Sequence, residues 1–97
     1  MKHSIEVSGN HATVSLKDKI YVRDASLLRD DLFVIIEQGV TDLRMDLSRL
    51  TYIDCSGIGT LVTINKRTKG RVVLTGAQGL PLHLIKLTQL DKVFNIK

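Results

Sequence analysis

Extended and helical apolar patterns alternate along this chain, and that alternation most limits the folds open to it. Ile5-Glu6-Val7 and Ala12-Thr13-Val14-Ser15-Leu16 alternate on either side of Ser8-Gly9-Asn10-His11, the pattern of a hairpin. Ala25, Leu28, Leu32, Ile35 and Ile36 then recur at helical spacing, with Asp24 placed to cap the helix and Gly39 to stop it. Leu43, Met45 and Leu47 alternate with Arg44 and Asp46 and predict a half-buried strand extending towards Leu50. Ser56 opens a second helix bearing Ile58, Leu61, Val62 and Ile64, which ends near Gly70. Val72-Val73-Leu74 is a continuous apolar run, as in a strand covered on both faces. Pro81 suits the first turn of a third helix with Leu84, Ile85 and Leu87, and Val93-Phe94-Asn95-Ile96 reads as a last edge strand. Strand, strand, helix, strand, helix, strand, helix, strand predicts an α/β fold: a central, partly parallel sheet with helices packed on it.

Ninety-seven residues suffice for one domain, expected to span 1–97. No apolar stretch approaches the ~20 residues of a membrane span, and the first residues lack the apolar core of a signal peptide. A single cysteine, Cys55, makes no internal disulfide, so a cytoplasmic protein is expected. The net charge of +4 raises the question of nucleic acid. The one local basic cluster is Lys66, Arg67, Lys69 and Arg71, and none of the four aromatics (Tyr21, Phe33, Tyr52, Phe94) is interleaved with it as a stacking platform. A solvated helix end, complementing the helix dipole, is the better reading, and neither nucleic acid nor membrane is an expected partner. His3, His11 and His83 do not show metal-ligand spacing, and no cofactor is expected.

The informative stretch is Asp54-Cys55-Ser56-Gly57-Ile58-Gly59, between a strand pattern and a helical one. Main-chain N–H groups at a helix start are unpaired and partly positive, so they favour an anion. Ser56 is therefore either a helix cap or a place where a phosphate can be added. Gly57 and Gly59 leave the helix start open to another protein's backbone, or simply turn the chain. The stretch matches neither a Walker loop, nor a dinucleotide fingerprint, nor the Gly-x-Ser-x-Gly elbow of hydrolases. No His or Lys lies close to Ser56 in the chain to act as a base, which argues against an enzyme.

Ile53-Asp54-Cys55-Ser56-Gly57-Ile58-Gly59 resembles the hydrophobic-Asp-Ser-Ser-Gly-Leu/Ile-Gly signature of the STAS domain family, and within it the bacterial anti-sigma factor antagonists. The resemblance runs on through Asp46-Leu47-Ser48-Arg49-Leu50, Gly70-Arg71-Val72-Val73-Leu74-Thr75-Gly76 and Leu87-Thr88-Gln89-Leu90-Asp91-Lys92-Val93-Phe94, nearly the whole chain in one register. It implies a mixed sheet of four to five strands with three to four helices against it. It also implies a binding protein rather than an enzyme, with Ser56 as phosphate acceptor. In the family the unphosphorylated antagonist binds an anti-sigma factor, usually a serine kinase, and so frees a sigma factor. Phosphorylation separates the pair and a metal-dependent serine phosphatase resets it. The resemblance places the partner surface on Asp54, Cys55, Ser56, Gly57, Ile58 and Gly59 together with Tyr21, Val22, Arg23 and Asp24. The alternative is a STAS scaffold subunit of a signalling or transport complex that is not phosphorylated.

The chain departs from the family in three places. Cys55 replaces the first serine, a small-for-small change. After the second strand, Gly-x-hydrophobic-Asp is replaced by Asp18-Lys19-Ile20-Tyr21, so either Tyr21, Val22 and Arg23 form a differently shaped contact patch or Tyr21 and Val22 anchor the core. Gln89 stands where the closing Leu-Thr-Gly-Leu has glycine, and a slightly different helix end is expected.

Overall fold

A computed structural model describes residues 2–96, so the two ends of the expected domain, Met1 and Lys97, lie outside the described residues. The expected elements form in the expected order: β1 (His3–Ser8), β2 (His11–Ile20), α1 (Val22–Glu37), β3 (Asp42–Ile53), α2 (Cys55–Arg67), β4 (Val72–Thr75), α3 (Gly79–Leu87) and β5 (Asn95–Ile96). A 3-10 turn at Leu90–Lys92 precedes β5. The strands make one five-stranded sheet in the order β1-β2-β3-β4-β5. The β1–β2 pair is antiparallel, closed by a two-residue turn with Gly9 at φ +62, and the other three pairings are parallel. The sheet is thus mixed, with three helices.

Each parallel step moves to the next strand in the same direction, so crossovers of one hand bring the helices to one face of the sheet. Burial follows. Ala12, Val14 and Leu16 of β2, Leu43, Met45 and Leu47 of β3, and Val72 and Leu74 of β4 are buried. They meet Leu28 and Leu32 of α1, Leu61 and Ile64 of α2, and Ile85 of α3 in one apolar core. Between them Thr13 and Arg44 are exposed and Val73 is half-buried. The apolar run Val72–Leu74 is therefore not covered on both faces, because all the covering helices lie on one side.

Three expectations about boundaries change. The last strand is Asn95–Ile96 alone, because Val93 and Phe94 close the preceding 3-10 turn, their N–H groups donating to the Leu90 carbonyl. β3 runs past Leu50 to Ile53, because its pairing with β2 slips twice, between Ser15 and Lys17 and between Asp18 and Lys19. Each slip leaves an extra residue on β3 and breaks the alternation that marks a strand. The first helix begins at Val22, with Tyr21 as its cap, so Asp24 is the third helical residue rather than the cap. Its carboxylate reaches back to accept the Tyr21 N–H at 3.0 Å, the acidic half of a capping box.

Gly39 stops α1 as expected, at φ +110. α3 ends at Leu87, with Thr88 as its C-cap and Gln89 directly after it. That residue takes up φ +61, the left-handed conformation for which glycine is favoured, and its N–H donates to the Lys86 carbonyl at 3.1 Å. Asp18, the other residue standing in for a family glycine, is also left-handed, at φ +61. Both departures stand in a conformation that glycine would adopt without strain.

Candidate functional site

The site is assembled by the parallel pairing of β2 and β3. Ile20 and Ile53 are register partners at the ends of these strands, and the Asp54 N–H donates to the Ile20 carbonyl at 3.2 Å. α1 therefore starts at Val22 and α2 at Cys55 side by side, from the same end of the sheet. The two stretches expected to form the partner surface, thirty residues apart in the chain, meet as one rim.

Asp54, not Ser56, caps α2. Its backbone is extended, its carbonyl accepts the first intrahelical bond from Ile58 at 3.0 Å, and its carboxylate accepts the Gly57 N–H at 3.0 Å. The N–H groups of Cys55 and Ser56 find no protein acceptor among the described residues. Ser56 is the second helical residue and is exposed, and its hydroxyl makes no hydrogen bond to the described residues. Of the two roles that its sequence position allows, capping is taken by another residue.

The glycines divide in the same way. A Cβ on Gly57 would overlap Ile53 Cγ1 and stand 2.8 Å from its Cδ1 and 3.3 Å from Ile20 Cγ2. Gly57 is buried and lets α2 sit down on the ends of β2 and β3, so it does not serve to open the surface. Gly59 is exposed with nothing within 4 Å of a Cβ, and it does leave the helix bare. Ile58 is half-buried against the core and Cys55 is exposed.

Across the rim Tyr21 is 46% and Val22 64% exposed, and Arg23 is exposed. Of the two readings of this stretch the core anchor fails, because both apolar side chains point outwards from the helix start. The Tyr21 ring lies 5.6 Å from that of Tyr52 at an interplanar angle of 44°. Lys2 Nζ stands 5.1 Å from the Tyr21 ring centroid, 3.1 Å from Asp24 Oδ2 and 2.7 Å from the Lys19 carbonyl. The Asp24 carboxyl is held below its ordinary value, first by the Tyr21 N–H and then, against some opposing burial, by Lys2. Neither Lys2 nor Tyr52 stands out in the sequence. Lys2 reaches the rim because β1 folds back on β2, where its carbonyl accepts the Lys17 N–H at 2.9 Å.

A model of the STAS domain matches residues 2–97. Over 95 residues the chain is 30% identical to the anti-sigma-B factor antagonist of Bacillus subtilis (strain 168), covering 95% of this chain and 86% of that protein. The fold is similar to that of the anti-sigma factor antagonist SpoIIAA in its unphosphorylated form, with a TM-score of 0.83, 20% identity and coverage of 98% and 86% of the two chains. It is also similar to that of the Bacillus cell fate determinant SpoIIAA in the phosphorylated form, with a TM-score of 0.80, 18% identity and coverage of 98% and 90%.

Proposed function

The chain belongs to the STAS domain family, and from that footing we propose that it is a cytoplasmic anti-sigma factor antagonist whose partner binding is switched off by phosphorylation of Ser56. The observation that carries the reading is the state of Ser56: exposed at the head of α2, and relieved of capping by Asp54. Its unphosphorylated form binds an anti-sigma factor that is also a serine kinase, through the rim formed by Tyr21–Asp24 and Asp54–Gly59. ATP and metal belong to the kinase and to the phosphatase that resets the switch.

A phosphate adds roughly −1.5 to −2 charges and three acceptor oxygens. Within the free domain it lies at the positive end of a thirteen-residue helix, beside the two unused N–H groups, so no refolding is required. Inside an interface it must be desolvated next to the Asp54 carboxylate two residues away. A penalty of about 2.8 kcal/mol lowers affinity about 100-fold, enough to part a pair of moderate strength.

The test is mass spectrometry of the purified chain after incubation with ATP and each serine kinase encoded in its genome neighbourhood. Phosphate on Ser56, lost in Ser56→Ala, is the expected result. No phosphate with any of these kinases favours a STAS scaffold subunit instead. Undiminished binding of Ser56→Asp to the anti-sigma factor would count against dissociation driven by charge.

A further inference from the structure

The open face of the sheet carries a groove of about 550 Å³ where β2, β3 and β4 begin. Its composition follows from register. Thr13, Arg44, Val73 and Asn95 are successive cross-strand neighbours, so their side chains share the face opposite the buried Leu43, Met45, Val72 and Leu74. Arg71 lies two residues before Val73 on the same face, tied down where its carbonyl accepts the Leu43 N–H at 3.0 Å. All five line the groove.

Arg44 and Arg71 thus line one concavity, and among the described residues neither guanidinium has a carboxylate within 4.0 Å or donates a side-chain hydrogen bond. Besides His11, the groove is lined by one acid, Asp42. It accepts the Thr41 hydroxyl at 3.0 Å and lies 3.9 Å from His11 Nδ1. Two planar forks with no carboxylate paired to either outnumber the Asp42 charge, and with the Thr13 hydroxyl and the Asn95 amide across a half-buried Val73 they make a set of donors suited to a multiply charged oxyanion. The volume falls in the range of small-molecule sites, and no aromatic ring lines the groove to stack a base.

We propose that this groove binds a small phosphate-bearing molecule, its phosphate held between Arg44 and Arg71. Two cations match a phosphate monoester or diphosphate better than a single carboxylate, which would neutralise only one of them. Most of β3 separates the groove from Ser56, roughly 30 Å at the rise of a strand. The site is therefore independent of the rim and stands or falls separately from the antagonist reading.

The experiment is amide NMR and calorimetry on the full chain with inorganic pyrophosphate, at about 150 mM salt. Saturable shifts are expected at Thr13, Arg44, Val73 and Asn95, with Ser56 unmoved. Arg44→Gln and Arg71→Gln are expected to weaken binding at least tenfold each, and Arg44→Lys to lose part of it because the fork is gone. Lys86→Gln, an equal charge change on α3, leaves binding intact. Unchanged melting temperatures keep these comparisons valid, and either arginine variant alone suffices if the other is unstable. Shifts that do not saturate, shifts confined to the head of α2, or equal losses in Lys86→Gln overturn the site. Malonate binding as tightly as pyrophosphate, or single-stranded DNA binding this face more tightly than either, overturns the assigned ligand class.

Discussion

Gly57 rests directly on Ile53: a methyl group in its place would overlap Ile53 Cγ1 and press on Ile20 Cγ2 at 3.3 Å. Ile53 and Ile20 are themselves buried, so the core around them must shift to admit the methyl group. Gly57→Ala is therefore expected to destabilise the domain by about 1–3 kcal/mol, the usual cost of overpacking a core. Gly59→Ala meets nothing within 4 Å on the same helix and should stabilise it by about 0.4–1 kcal/mol. Urea unfolding of the two variants checks the contrast. Equal effects would mean that α2 does not seat on Ile53 as described.

Asp54 and Ser56 should separate in the same assay. Asp54→Ala removes the carboxylate that accepts the Gly57 N–H and is expected to cost about 1 kcal/mol, while Asp54→Asn keeps most of it. Ser56→Ala removes a hydroxyl with no partner among the described residues and should fall within about 0.5 kcal/mol of the parent. A large loss at Ser56 would return the capping role to it.

Asp18 and Gln89 carry side chains in the left-handed conformation, which costs L-residues roughly 1–2 kcal/mol. Asp18→Gly and Gln89→Gly are each expected to raise stability, by about 1 kcal/mol at most once the freedom of glycine in the unfolded chain is counted. The gain should be smaller at Asp18, because aspartate tolerates this region better than glutamine. The Thr51 hydroxyl donates to the main-chain carbonyl of Asp18, so that bond survives the change. Thermal melting of the single and double variants measures it.

Stability should fall in acid through two identified carboxylates. Asp24 is held below its ordinary 3.8 first by the Tyr21 N–H, and Asp46 first by the Ser48 N–H at 3.0 Å. A carboxyl lowered by folding contributes its full stabilisation above 3.8 and loses it as pH falls through the folded value. Asp24→Asn and Asp46→Asn are each expected to flatten the acid limb of a stability profile below about pH 4, without changing its shape near neutrality. An unchanged acid limb in the double variant would assign acid unfolding to other groups.

The order of elements and the ends of α1 and α2 were legible because apolar period and turn residues agree there. Gly39 and Gly70 stand within a few residues of the last helical position, and both have positive φ. The second half of β3 was not legible. Its first extra residue shifts Leu50 off the alternation of Leu43, Met45 and Leu47, and the second brings Ile53 back onto it, although all five are buried. The cap of α2 was ambiguous for a different reason. Asp54 and Ser56 are both good capping residues, and the extended Asp54 backbone, held by its N–H bond to the Ile20 carbonyl thirty-odd residues away, goes with capping by Asp54. Gly57 and Gly59 are the same residue two places apart with opposite surroundings, which no local pattern distinguishes. The family register located the candidate rim, whereas Lys2 and Tyr52 joined it only through tertiary contact.

The three parallel ladders have a consequence in time. They pair His11 with Asp42, Leu43 with Val72 and Val73 with Asn95, residues roughly twenty to thirty apart, while only the β1–β2 hairpin is local. Such long closures must be made before their contacts reward them, so the sheet forms slowly compared with a helical bundle of equal size. Tyr21 and Asp54 come together only when β2 and β3 have zipped to their ends at Ile20 and Ile53. A partner that recognises both segments therefore recognises a finished molecule, and a nascent or misfolded copy, though it contains every residue of the rim, is invisible to it.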